Sequence, residues 1–263
     1  MGYKRWKKGC MSSQLLDMRD CESQEFSQVY GEIRRIASRL QPVWFRPFFK
    51  IPAIRFKLEY DHWSRRWEYP WAIFNADLQP GMCVLDAGSG GSPFPLYLGM
   101  SGFECYAADP SLDLGKPKNN RRRRFLSFLG IAAGWNLLPG AGKRRERSLP
   151  VRYCPESIQE LSFHDGFFDR VFCLSVMEHI PKLEWSRCMK QLARIVRPGG
   201  RLVLTLDMSK QDANERAYER LIESCPLDLV GNVDYPVPIP DEDKKIRHPG
   251  HGYETIGLVW QKR

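Results

Sequence analysis

The chain has 263 residues, of which 43% are hydrophobic and 27% charged, with a formal net charge of +9 at pH 7. That length and apolar content suit one α/β domain with additions and exclude a disordered polymer. The eight cysteines are scattered with no C-x-x-C pair, which argues against a disulfide framework or zinc site and for reduced thiols in a cytoplasmic setting.

Residues 1–21 read as a frayed, basic leader with no apolar run behind it, so no secretory signal is expected. Phe26, Val29, Ile33, Ile36 and Leu40 recur at helical spacing and predict a helix from Glu22 to Leu40, ended by Pro42. Residues 42–58 are aromatic and broken by prolines. A second helix is expected over Asp61 to Ala76, interrupted near Pro70 and rich in aromatic residues (Trp63, Trp67, Tyr69, Trp71) around His62. Residues 1–74 are therefore read as a helical, aromatic N-terminal cap, and 75–263 as the main domain. From Met82 the rhythm changes to short strands alternating with helices: Met82–Ala87, Phe103–Ala108, Val151–Cys154, Arg170–Ser175 and Arg201–Leu206, then Leu227–Val233 and Thr255–Gln261. This alternation predicts a doubly wound, Rossmann-like α/β sheet, mostly parallel with an antiparallel last strand. No stretch reaches the ~18 consecutive apolar residues of a membrane span.

The most informative stretch is VLDAGSGGSP, Val84 to Pro93. It reads as a buried strand entering a glycine-rich turn and then a helix. Asp86 sits at the strand's C-terminal edge. Gly88, Gly90 and Gly91 let the backbone approach a ligand closely and are expected to expose N–H donors at a helix start. In a doubly wound sheet, ligands lie outside the carboxyl ends of the strands. Asp109 closes the next strand, where an acid can accept both hydroxyls of a ribose. Glu156-Ser157-Ile158 follows the third strand, and Ser175-Val176-Met177-Glu178-His179 follows the fourth. A nicotinamide-binding turn would read G-x-G-x-x-G, but the position three after Gly90 is Pro93; no P-loop is present either.

With VLDAGSGGSP, AADPS, FHDGFFDRVFCLSVMEHIP and ARIVRPGGRLVLTLD in this order, the chain resembles the class I S-adenosylmethionine-dependent methyltransferases of the type 11 group. The resemblance covers residues 80–207 well and the final strands loosely. It implies that Gly88, Ser89 and Gly90 line the methionine part of S-adenosyl-L-methionine, and that Asp86 orients the loop or meets the ammonium through water. It further implies that Asp109 grips the ribose, that Ser157 and Ile158 meet adenine, and that Ser175 offers its backbone carbonyl to the ammonium. Many relatives carry Asp at the position of Ser157, so a weaker or water-mediated adenine contact is expected there. Pro93 and Pro95 suit a short, rigid helix entry.

A general base is needed only where the acceptor must lose a proton. His179 after the fourth strand is one candidate; a helix-start residue holding local backbone is the competing reading. Glu178 carries the same two readings. His251, with His248 in RHPGHGY, is a second candidate, against a surface turn forced by Pro249, Gly250 and Gly252.

Residues 116–147 hold ten basic side chains and one acid, so the net charge of the whole chain resides there. This basic insertion, placed at 112–150, flanks the apolar stretch Phe125 to Leu138 with Arg121–Arg124 and Lys143–Arg147. It can gather an anionic acceptor, meet an anionic membrane, bind nucleic acid, or be a solvated loop around a hydrophobic plug. Nucleic acid is the least favoured of these partners, since no recognisable RNA-binding module accompanies the charge. The expected function is methyl transfer from S-adenosylmethionine to a small-molecule or lipid- or glycan-linked acceptor, with oxygen preferred. The alternatives are a non-catalytic cofactor- or partner-binding protein on the same fold, or an RNA methyltransferase using the insertion. The expected location is cytoplasmic, with peripheral membrane contact.

Overall fold

The computed structural model describes residues 13–40, 64–112, 150–209, 212, 216–231 and 253–263. The basic insertion, His62, Trp63, His248 and His251 lie outside the described residues. The elements are β1 (Gln14–Leu15), α1 (Gln24–Leu40), α2 (Arg65–Asn75), β2 (Cys83–Ala87), α3 (Phe94–Met100), β3 (Glu104–Ala108), β4 (Val151–Cys154), β5 (Phe168–Leu174), α4 (Trp185–Ile195), β6 (Val196–Ser209), α5 (Ala217–Ser224), β7 (Asp228–Leu229) and β8 (Tyr253–Gln261).

The sheet order is β1-β8-β6-β5-β2-β3-β4. Strands β4, β3, β2, β5 and β6 pair in parallel, and β8 runs antiparallel to β6. All seven residues of β5 are buried, as expected of a central parallel strand covered on both faces. One face packs Trp185, Cys188, Met189, Leu192 and Leu221 of α4 and α5. The other packs Val29 and Ile33 of α1, Trp67 and Trp71 of α2, and Phe94 and Leu98 of α3. The doubly wound reading is thus met, and the helices before residue 75 share one core with the sheet.

The leader departs from the sequence expectation. Gln14 and Leu15 pair antiparallel with Gly257 and Ile256 of β8, on the same edge where Asp228 and Leu229 meet Gln261 and Trp260. The two short strands lie end to end and are joined through Ser13, whose N–H and hydroxyl both reach the Val230 carbonyl (3.4 and 3.3 Å). Leu15 and Leu16 are buried on opposite faces, contributing about 2 kcal/mol each, and β8 is not left as an open edge. The basic composition of residues 1–12 hid this, because only four residues carry the pairing.

Helix α2 runs unbroken through Pro70 and lies across β6 and β8. Trp67 and Trp71 stack with centroids 5.1 Å apart. A Cβ on Gly257 would fall 2.5 Å from the Trp71 ring, so the missing side chain on β8 is what lets α2 sit this close. Among the described residues, no helix is long and apolar enough to cross a membrane.

Candidate functional site at the carboxyl ends of the strands

The glycine turn is closed on itself. Gly88 and Ser89 donate their N–H groups to the Ala108 carbonyl at 2.7 and 3.3 Å. The Gly90 N–H donates to Asp109 Oδ2 at 3.0 Å, and Ser92 N–H to the Ser89 carbonyl at 2.9 Å. The expectation of exposed N–H donors is therefore corrected at Gly88, Ser89 and Gly90, whose N–H groups tie the turn to the end of β3. A pyrophosphate would find them taken. What fronts the turn instead is acid. Asp86 is buried, and burial raises its pKa to about 7, with Arg65 opposing and Asp109 adding to the rise. The Asp109 carboxylate is fixed from both sides, since its Oδ1 accepts from Ser111 N–H at 2.7 Å. Each oxygen keeps a lone pair for a further donor. Such a site suits a ligand with a cationic end and a diol, as S-adenosylmethionine has.

The turn's shape agrees. Gly88 has φ +79, and a Cβ there would strike Val176 Cγ1 at 2.5 Å. The Ser89 hydroxyl is buried and has no partner among the described residues, leaving a polar atom for a ligand to satisfy. Pro93 caps α3 and Pro95 stands in its first turn, the rigid entry expected.

Beyond β4, Ser157 precedes a 3-10 turn, Ile158–Glu160, in which Ile158 is buried. Glu156 is drawn into its own loop, accepting from the Ser162 N–H and hydroxyl at 2.9 and 2.6 Å. Ser175 follows β5 at φ +49, with its N–H on the Thr205 carbonyl and hydroxyl at 3.0 and 3.1 Å. The residues assigned by resemblance to adenine, ribose and methionine thus stand in succession along one edge: Ser157 and Ile158 after β4, Asp109 after β3, the turn after β2, Ser175 after β5. The next strand in that direction is β6, with Asp207 near its C-terminal end.

The wall above β5 and β6 was not read from sequence. Glu68 of α2 is fully buried. Its Oε1 accepts from the Ser175 and Thr205 hydroxyls, the latter at 2.8 Å. Its Oε2 accepts from Ser64 Oγ at 3.1 Å and Arg65 Nη1 at 2.8 Å. Arg65 also donates to the Leu174 carbonyl at 3.2 Å and lies 5.6 Å from the Tyr69 ring centroid. Tyr69 in turn hydrogen-bonds Ser92 of the turn at 2.9 Å. Burial works against the Arg65 charge, but Glu68, then Tyr69 and the carboxyl groups of Asp207 and Glu178, outweigh it and hold its pKa raised. One helix face therefore joins the glycine turn to the ends of β5 and β6. The signal was the spacing of Arg65, Glu68 and Tyr69, three and four apart, beside two buried tryptophans.

Two further acids face this wall. Asp207 accepts from Thr255 Oγ1 at 2.5 Å; burial and Glu68 raise its pKa. Glu178 lies on the single 3-10 turn Met177–His179. Both its oxygens are buried with no hydrogen-bond partner among the described residues. Burial, then Asp207, pushes its pKa up to about 8. His179, the next residue, is exposed. The geometry brings Glu178, and not His179, to the carboxylate group.

Two curated relatives match. The tRNA U34 carboxymethyltransferase of Syntrophotalea carbinolica is 30% identical over 164 residues, covering 61% of this chain and 43% of its own length. The sarcosine/dimethylglycine N-methyltransferase of Halorhodospira halochloris is 23% identical over 172 residues, covering 65% and 54%. The chain spans about half the length of these relatives. The crystal structure of the Burkholderia thailandensis 1,6-didemethyltoxoflavin-N1-methyltransferase, with bound 1,6-didemethyltoxoflavin and S-adenosylhomocysteine, is 17% identical. It covers 83% of this chain and 88% of that chain at a TM-score of 0.49. The family model described as methyltransferase domain matches residues 57–232, more than half of the sequence, and so the chain belongs to the methyltransferase domain family, the class I S-adenosylmethionine-dependent group that its ordered motifs resemble.

Proposed function

We propose that the chain transfers a methyl group from S-adenosylmethionine to a small-molecule or lipid- or glycan-linked acceptor held over the ends of β5 and β6, with oxygen the preferred acceptor atom. The observation that carries this reading is the turn itself: the Gly88, Ser89 and Gly90 N–H donors are spent within the fold, and Asp86 and Asp109 stand beside it. That arrangement favours a cationic ligand end over a pyrophosphate.

The bound cofactor supplies an electrophilic methyl group. The protein's part is to orient and to exclude water. Asp109 takes the ribose hydroxyls, with Gly90 and Ser111 N–H groups fixing its carboxylate. Ser157 and Ile158 receive adenine. Gly88, Ser89 and Gly90 line the methionine part, Asp86 orients that loop, and the Ser175 carbonyl meets the ammonium. Arg65, held by Glu68 on α2, is placed to take the methionine carboxylate. Because Glu68 also binds Ser175 and Thr205, the same helix fixes the floor on which an acceptor would rest.

The test uses the full chain with methyl-labelled S-adenosylmethionine. Equilibrium dialysis measures cofactor retention, and incubation with a cell extract measures label transfer. Retention together with transfer supports the enzyme. Retention without transfer from any extract supports the non-catalytic alternative, and no retention removes the reading.

The basic segment at 112–150 we assign to peripheral contact with anionic lipid at the cytoplasmic face. Its composition of two basic blocks around an apolar stretch supports this. Sedimentation with anionic liposomes should fall when Arg121 to Arg124 become alanine. The relative described as a tRNA U34 carboxymethyltransferase favours a second reading, an RNA acceptor. That reading expects tRNA binding that weakens steeply with salt and with the same four substitutions.

A further inference from the structure

We propose that Glu178, paired with Asp207, receives the proton that leaves the methyl acceptor, and that the charge on the bound cofactor decides whether this pair is ionised. The proposal rests on the S-adenosylmethionine reading above and deepens it by naming the acceptor class: a hydroxyl or amine that must lose a proton.

Adenine, ribose and methionine positions step along the edge from β4 to β5. The acids next in that direction are Asp207, near the C-terminal end of β6, and Glu178, on the turn after β5. Among the described residues, the charged and titratable groups acting on Glu178 come from α2, β6 and β5. Helix α2 presents Arg65 and Glu68, β6 presents Asp207, and β5 presents the buried Cys173 thiol. Asp86 of β2 faces Arg65 from the cofactor side. His179 on its own segment is exposed. Among the described residues, Glu68, Asp207 and Glu178 therefore share the Arg65 guanidinium. Glu68 is already satisfied by four side-chain donors, and Asp207 has Thr255. Glu178 has no partner among the described residues, though both its oxygens are buried. A buried carboxyl group with free acceptor capacity, beside a second acid, is a proton-accepting site awaiting a donor.

The chemistry then balances. The acceptor's lone pair forms the new bond to the methyl carbon, and the pair of the broken carbon–sulfur bond returns to sulfur. The acceptor's proton moves to the Glu178–Asp207 pair. One positive charge on sulfur is lost as one carboxylate charge is neutralised, so the buried site keeps the same net charge. The coupling follows in reverse: a sulfonium nearby favours the ionised pair, and a neutral thioether favours the protonated one.

Calorimetric titration of the full chain tests this without any acceptor. S-Adenosylmethionine and S-adenosylhomocysteine are each titrated at pH 6, 7 and 8, in two buffers of different ionisation enthalpy. The wild type should release about one proton more on binding the sulfonium than on binding the thioether. Its sulfonium affinity should rise by up to about tenfold per pH unit between pH 6 and 7. Ligand amine titration is common to wild type and variant, so the decisive comparison is with Glu178→Gln, in which the excess proton release should vanish. Asp207→Asn serves as the second variant should the first fail to fold. An excess that persists in the folded variant overturns the proposal while leaving the cofactor reading intact. A wild type that binds neither ligand overturns both.

Discussion

Helix α2 buries charge at both of its ends, and the two ends do it differently. At its C-terminal end, Arg170 of β5 donates to the Ala76, Asp77 and Asp169 carbonyls, the last two at 2.7 Å. Arg201, its register partner on β6, donates to the Asn75 carbonyl at 3.1 Å. Asp77 Oδ2 lies 4.0 and 3.7 Å from the two guanidinium groups. Burial, with Arg201 alongside, pushes the Arg170 pKa down to about 10, so it stays charged at neutral pH. These cations complete the last carbonyls of the helix and oppose its negative end. At the N-terminal end the sign and the outcome reverse. Acids outnumber Arg65, Asp86 and Glu178 have raised pKa values, and Glu178 has no partner among the described residues. Charge that is fully hydrogen-bonded holds the fold; charge left short of partners marks the place where a ligand is expected.

The contrast breaks most sharply at Arg170. Arg170→Met would leave the Ala76 and Asp77 carbonyls without this donor and Asp77 short of a cation. We expect a loss of about 3–5 kcal/mol in urea unfolding. Cofactor affinity of the molecules that remain folded should be unchanged, because the proposed site lies at the other end of the helix. A large affinity loss with little change in stability would reverse the assignment of the two ends.

Gly88→Ala should do the opposite. The new Cβ meets Val176 at 2.5 Å and sits at φ +79. S-Adenosylmethionine affinity should fall by about tenfold or more, with a stability cost on the order of 1–2 kcal/mol. Adding Val176→Ala removes the two methyl groups in the way and should restore part of the affinity, though not the part lost to backbone strain. Dialysis of the single and double variants checks this.

The acid end also predicts how stability depends on pH. Asp86 and Glu178 bind their protons more tightly folded than unfolded, with folded values of about 7 and about 8. Their contribution is full below about pH 4 and is lost as pH rises through 7 and 8. From these two groups the ligand-free protein should lose about 4 kcal/mol between pH 6 and pH 9. Glu178→Gln should flatten the upper part of that slope, and denaturant titrations across the range measure it. An unchanged slope in the variant would place the titration elsewhere.

What sequence could read, and could not, follows the same division. The strands from β2 to β6 were legible because runs such as Val84-Leu85 and Phe172-Cys173-Leu174 are apolar on both faces, as central parallel strands require. The Val84–Pro93 turn and Asp109 were legible because strand ends fix ligand edges in this topology. The polar wall was not. Arg65, Glu68 and Tyr69 form a stripe that on one helix alone looks like a solvent-facing side; only the docking of Trp71 over Gly257 turns it inward. Gln14 and Leu15 escaped notice because two residues carry no periodicity, and their pairing depends on β8, more than two hundred residues away.

The smallest effect is expected at His179, where the two readings differ by a single position. Residues in a 3-10 turn advance about a third of a turn each, so Glu178 and His179 cannot face the same way. The structure turns Glu178 to the interior and leaves His179 exposed. His179→Ala removes a ring that no described hydrogen bond holds, while its backbone N–H still closes the turn on the Val176 carbonyl at 3.0 Å. Cofactor affinity should change by less than about twofold and unfolding free energy by about 0.5 kcal/mol or less, as for an ordinary surface substitution. Label transfer should keep its dependence on pH, since the proton-accepting acid is untouched. If the alanine variant instead lost transfer and its pH dependence while Glu178→Gln kept both, the histidine would be the base, and the buried glutamate would need a structural explanation.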